Sequence, residues 1–353
     1  MRSETMTMNQ FMADMRRDLE DRLSGIYKGI RVEKQDVNKV QGESYRGLAI
    51  RRDDMQIAPV FNVEPLYAQL KEQPYGSILN ALVQKAVGIM EKPLNISAEI
   101  LQDYDFMKGQ LMAQVISVKD NAERLEQMPH RQMKDMAVIY RFMMGESPYG
   151  EQMTVAVTNA MVDSYGITAD QLHEDAITAM KMNQPYSIRP LGAVLAEMDP
   201  FMDQEMGEVM GPPGLYVATT ESKMYGAAVI AQPDFMDNAA EILEGDFFVL
   251  PSSLHEVLLF RDDGMTDYRG LEEMVRIINE TEVQPADRLT DTVYHYDAGE
   301  RLFETGKEFE DRMAEKALGK RESVLADLAD QKQKAKEYAP KTRSSPQRGG
   351  EVL

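Results

Sequence analysis

Apolar residues recur at helical spacing over residues 11–23 and stop at Ser24-Gly25, which predicts an opening amphipathic helix. Residues 26–32, 45–50 and 56–61 are instead β-permissive and predict an antiparallel meander, with Arg51-Arg52-Asp53-Asp54 as the exposed turn between the last two. Helical spacing returns at 66–70 and 77–90, where Pro65 can open the first helix, Ser77 can cap the second and Pro93 bars continuation. Residues 1–95 therefore read as an αβββα unit able to bury one small two-layer core. Met6, Met8, Met12 and Met15 fall near one face of the first helix, beside Phe11 and Leu19, a stripe suited to packing in a core or on a partner.

In residues 96–210, Ser97 can cap a short helix, and 111–118 and 136–142 predict paired strands around a polar connection holding Pro129 and His130. A strand at 153–158 runs into a helix at 159–165 that Gly166 ends. Thr168-Ala169-Asp170-Gln171 has the form of a capping box and opens a helix to Lys181, with Leu172, Ala176, Ala179 and Met180 as its buried stripe. A short strand at 186–190 and a helix at 191–198 lead to DPFMDQEMGEVMGPPG at 199–214, an acidic stretch rich in turn formers that suits a linker or an ordered lid.

Residues 211–300 read ββαββαβ: strands at 215–219 and 226–231, a helix at 234–243, strands at 247–250 and 254–260 joined by Pro251-Ser252-Ser253, a turn at 261–264, a helix at 268–279 and a strand at 292–296. This segment can share one domain with 96–210. Short strands mixed with single helices indicate an α+β class rather than regular βαβ winding. Residues 301–353 form a charged helix from about Gly306, followed past Lys332 by a tail with almost no large apolar residue, expected to be disordered.

Composition narrows the chemistry. The 353 residues carry 39 Lys+Arg against 59 Asp+Glu, a net charge of −20, and no cysteine, which excludes disulfides, thiolate metal sites and a cysteine nucleophile. Such an acidic chain repels phosphate backbones, so nucleic-acid binding is expected, if anywhere, only from the tail 331–353, with six Lys/Arg against two Glu. No apolar run approaches the roughly 18 residues a membrane helix requires, and the N-terminal stretch lacks a signal-like apolar core, so a cytoplasmic protein without membrane contact is expected.

The stretches LYVATTESKMYGAAVIAQPDFMDNAAEILEGDFFVLPSSLHEVLLF (215–260), MVRIINETEVQPADRLTDTVYHYD (274–297) and YGITADQLHEDAITAMKMN (165–183) resemble an uncharacterised bacterial family catalogued as a domain of unknown function, number fifty-six eighty-eight. The resemblance runs over roughly residues 8 to 300. It implies an origin in gut Gram-positive anaerobes and their mobile or phage-derived elements, and it brings no activity with it.

Pro251-Ser252-Ser253-Leu254-His255-Glu256 is the densest polar group and supplies the catalytic candidates Ser252, Ser253, His255 and Glu256. In extended backbone Ser253 and His255 share one face, with Ser252 and Glu256 on the other, and parallel i, i+2 neighbours seldom make the hydroxyl-to-imidazole contact a nucleophilic serine needs. His173-Glu174 opens like a zinc-protease helix, but position 177 is Ile. His130 and His295 lie in polar surroundings without ligand spacing, and carboxylate clusters at 262–263, 272–273 and 199–205 lack calcium-loop spacing. His173, Asn183, Thr219 and Asn279 remain as binding candidates, more suited to caps and turns. No metal or cofactor is expected. The chain is expected to be a non-catalytic accessory protein of a mobile element that binds a protein partner. The alternative is an enzyme of unassigned class, with hydrolase as the first option, built on Ser253, His255 and Glu256.

Overall fold

The computed structural model describes residues 6–37, 44–53, 55, 58–91, 98–146, 152–198 and 213–337. The fold is α+β, with three-, four- and six-stranded antiparallel sheets. The expected loop at 199–212 and the tail from 338 lie outside the described residues.

Helix α1 (Met8–Ser24) opens with a reciprocal capping box: the Gln10 N–H donates to the Thr7 hydroxyl and the Gln10 side chain accepts the Thr7 N–H. Phe11, Met12, Met15, Leu19 and Leu23 are buried along one stripe, against strands β1 (Ile30–Val37), β2 (Tyr45–Arg52) and β3 (Val60–Asn62) and helices α2 (Val63–Ala68) and α3 (Tyr75–Glu91). Met6 and Met8 pack on the edge of the same core. The first strand starts four residues later than its pattern suggests, because residues 26–29 turn and Gly29 adopts φ +72. Ser77 lies inside α3, which opens at Tyr75 after Pro74.

The second region runs through α4 (Ala98–Gln102), α5 (Tyr104–Met107), β4 (Leu111–Ser117), α6 (Val118–Leu125), β5 (His130–Met133), β6 (Met136–Glu146), β7 (Gln152–Ala156), α7 (Asn159–Tyr165), α8 (Ala169–Asn183), β8 (Tyr186–Pro190) and α9 (Leu191–Met198). Strand β6 pairs with β4, β5 and β7, so the polar connection through Pro129 and His130 contains a helix and a strand. At α8 the Thr168 hydroxyl accepts the Gln171 N–H, but the Gln171 side chain is turned to Asp175, to which its amide donates, and does not accept the Thr168 N–H, so the box is half made. Leu172, Ala176, Ala179 and Met180 are buried as their spacing predicts.

The third region supplies β9 (Leu215–Thr220), α10 (Phe235–Leu243), β10 (Phe247–Leu250), β11 (Val257–Arg261), α11 (Tyr268–Thr281), β12 (Tyr294–Asp297), β13 (Leu302–Thr305) and α12 (Gly306–Glu337). The six-stranded sheet runs β13-β12-β10-β11-β9-β8 and so draws its edge strand β8 from the preceding region. Residues 226–231, expected as a strand, form a 3-10 helix, Gly226–Ala231. An apolar run this short is compatible with a strand or a buried helix, and here tertiary packing decides: the 3-10 helix fills the space between β9 and β4. One core therefore joins the two larger sheets, with Val115, Ile139 and Phe142 on one side and Val229, Phe247 and Leu259 on the other.

Candidate functional site

The polar loop after β10 is clamped through its backbone. The Leu254 N–H donates to Asp287 O at 2.8 Å, the Leu254 carbonyl accepts from Ala227 at 3.1 Å, and the Ser252 carbonyl accepts from Leu289 at 3.1 Å. Ser253 bridges to Arg288, and its hydroxyl accepts the His255 backbone N–H at 3.1 Å. That clamp directs the His255 ring away from Ser253. Its Nδ1 accepts the Tyr225 backbone N–H at 3.4 Å, which leaves the ring proton on Nε2, 3.5 Å from Asp287 Oδ1. Both imidazole nitrogens are engaged elsewhere, and the Ser253-to-His255 proton contact of a serine nucleophile is not formed. Ser252, Ser253 and Glu256 line a pocket of about 250 Å³ together with Leu258, Glu282 and Asp287.

Around the other side of His255 the chain is tightly constrained. The Thr219 hydroxyl donates to the His255 carbonyl at 2.7 Å. A Cβ on Gly226 would lie 2.1 Å from Thr219 Oγ1 and 2.2 Å from the His255 carbonyl oxygen, so only glycine fits this crossing. Lys223 and Tyr225, immediately before it, adopt φ +57 and +51, left-handed conformations that cost non-glycine residues roughly 1–3 kcal/mol each. The strained turn sets the Tyr225 ring parallel to His255, with centroids 6.1 Å apart, and 5.4 Å from the guanidinium carbon of Arg141.

Arg141 belongs to β6, opposite Met112 of β4 and Ala156 of β7. Its Nε donates to the Thr154 hydroxyl at 2.8 Å and its Nη1 to the Gln114 side-chain oxygen at 3.2 Å; Gln114 is 2% exposed. Both partners are neutral, and among the described residues no carboxylate pairs with this cation. Burial pushes the guanidinium below the ordinary arginine value, opposed by Tyr225. Nothing in the notional chemistry of the sequence singles Arg141 out; the available signal was a charge inside the apolar run of residues 136–144.

The remaining candidates fasten elements together. His173 on α8 meets the Tyr140 hydroxyl through Nδ1 at 3.0 Å; burial lowers the imidazole and lifts the phenol to about 12. Asn183 donates to the Gly109 carbonyl at 3.0 Å, and Asn279 to Thr290 O and Asp291 Oδ1. His295 has the polar neighbours Asp262 and Glu304, but it is fully buried, stacked on Phe309 with centroids 3.7 Å apart and edge-on to Phe248. Its Nε2 lies 3.2 Å from Asp262 and its Nδ1 3.7 Å from Glu304, and Arg312 holds Glu304 through Nε at 3.0 Å. The hydrogen bond from His295 keeps the Asp262 carboxyl below the usual range, against the opposing effect of burial. Among the described residues no group of three or more His, Asp or Glu could hold a metal ion, and no helix is long and apolar enough to cross a membrane.

These features define an α+β protein with three antiparallel sheets among the described residues, whose constrained polar residues gather where a 3-10 helix joins the two larger ones. The chain belongs to a family of unknown function, DUF5688, whose model matches residues 8–298. No curated protein and no solved structure matches it.

Proposed function

We propose that the protein is a non-catalytic interaction protein of the cytoplasm, an accessory factor of a mobile or phage-derived element that works by holding another protein. The observation that carries this is α12. Its first turns are fixed to the body: Phe309 covers His295, Glu310 pairs with Arg269, and Arg312 with Glu304. Farther along, Leu318, Leu325 and Leu328 are 60%, 65% and 49% exposed. Spacings of seven and three put these leucines on one stripe, the arrangement that packs against a second helix. Single exposed leucines are ordinary, but an aligned set on a helix of roughly 48 Å favours a partner. The last turns of this helix together with the chain after it are basic, six Lys/Arg against two Glu over residues 331–353, so the partner that fits is an apolar helical stripe flanked by acidic residues.

The alternative, a hydrolase using Ser253, His255 and Glu256, has less support, because the serine hydroxyl is committed to its neighbour's backbone. Cross-linked affinity purification from the native host tests the favoured reading, comparing the wild-type chain with the Leu318→Asp/Leu325→Asp double variant. A specific partner with an acidic, amphipathic helix, lost from the folded double variant, is expected. No specific partner, or one retained equally by the variant, overturns it.

A further inference from the structure

We propose that Arg141 is the anchor of an oxyanion-binding site at the junction of the two larger sheets, taking a carboxylate or a phosphate group in a bidentate contact. A guanidinium offers five N–H donors in a fixed fork. Here Nε and one donor of Nη1 are used by Thr154 and Gln114, which leaves the Nη2 side of the fork without an acceptor among the described residues. Thr154 on β7 and Gln114 on β4 grip the group from both flanking strands, so its orientation is set before any ligand arrives. Tyr225 lies against it, and the turn carrying that ring is held in left-handed backbone. Strain retained at such a place is itself a pointer to a binding role. A partly desolvated cation with only neutral partners is the arrangement that gains most from an incoming anion, because planar oxyanions match the fork in two parallel hydrogen bonds.

The site stands apart from α12 and does not depend on the protein-binding reading. The chain's net charge of −20 repels anions at long range, so affinity has to come from the local fork rather than from steering. Added salt screens that repulsion, and binding should lack the steep salt sensitivity of a basic patch.

Isothermal titration of the full chain with inorganic phosphate and with acetate, each against chloride at matched ionic strength, tests the proposal. One saturable site is expected for at least one anion: phosphate alone identifies a phosphate group as the ligand chemistry, and acetate alone or at comparable strength identifies a carboxylate. Arg141→Gln should weaken binding at least tenfold. Arg141→Lys, which keeps the charge and loses the fork, should also weaken it, and decides the matter if the glutamine variant does not fold. The exposed control Arg269→Gln should bind as the wild type does. Saturation by neither anion, or unchanged affinity in a folded Arg141 variant, overturns the proposal.

Discussion

Arg312, on the helix packed against β12 and β13, and Arg141, on a strand flanked by β4 and β7, are held in opposite electrostatic company. Arg312 meets Glu304, Asp297 and, at 3.5 Å, Glu300, and Glu304 first and Asp297 next raise it above the ordinary arginine value. Its Nη1 lies 3.0 Å from Asp297 Oδ2, an ionic contact whose angle falls short of a hydrogen bond. Arg141 meets two neutral side chains and is lowered by burial. The first arrangement is closed: Glu304 is 4% exposed, His295 is fully buried behind it, and Phe309 seals the stack. It fastens the start of α12 to β12 and β13. In the second, the Nη2 side of the guanidinium has no acceptor among the described residues. A buried charge with its countercharges in place serves the fold, whereas one lacking them is held ready for something else.

The comparison is broken most directly at Arg312. Arg312→Ala leaves Glu304 buried and uncompensated, and removing one member of such a pair costs about 3–5 kcal/mol. Urea unfolding should register a loss in that range, and a loss below about 1 kcal/mol would mean the network is solvated and the contrast with Arg141 unfounded. Gly226→Ala comes next. Its Cβ meets the Thr219 hydroxyl and the His255 carbonyl, and overpacking of this kind costs about 1–3 kcal/mol. The same variant should reduce anion binding in parallel, because the Tyr225 turn must shift; full stability with intact binding would separate the turn from the site.

Acid sharpens the closed side of the comparison. The folded-state value of Asp262 is depressed through its bond to His295, so its contribution is present above the unfolded carboxyl value of about 3.9 and is lost as pH falls through the lower folded value. Asp262→Asn should therefore be less stable than the wild type at pH 6, and the gap should close as unfolding is followed down toward pH 3. A gap constant across that window would assign the effect of the substitution to packing.

Local pattern and long-range contact divide what could be read in the chain. The stripe of Phe11, Met12, Met15 and Leu19 and the apolar run of β6 carry their period in adjacent residues, so these elements were legible. The 3-10 helix at Gly226–Ala231 was not, because its form depends on Thr219 and His255 crowding one glycine. The loop Ser252–Glu256 was recognisable as a polar cluster, but the direction of the His255 ring depends on Tyr225 and Asp287, both about thirty residues away in sequence. The burial of His295 was not legible for the same reason: Asp262, Glu304 and Phe309 approach it from a turn, a strand and a helix, and none is its sequence neighbour. Arg141 was the subtler omission. Its spacing carries no motif, and only the absence of a carboxylate partner distinguishes it.

That absence makes the smallest predicted change the most discriminating. Arg141→Gln removes hydrogen bonds to Thr154 and Gln114, each worth about 1.5–3 kcal/mol where a charged group takes part. It also removes the cost of holding a partly desolvated cation without a countercharge, which is of similar size for a group still touching solvent. A glutamine amide can restore one of the two contacts. The terms nearly cancel, and without added anion the variant should unfold within about 1 kcal/mol of the wild type, far from the Arg312→Ala result. With phosphate or acetate present the two should separate, because an anion that binds only the folded wild type stabilises it in proportion to the logarithm of its concentration over the dissociation constant. If Arg141→Gln instead loses as much as Arg312→Ala in plain buffer, then Thr154, Gln114 and Tyr225 satisfy the guanidinium on their own, and the open side of the fork is a structural anchor rather than a place for a ligand.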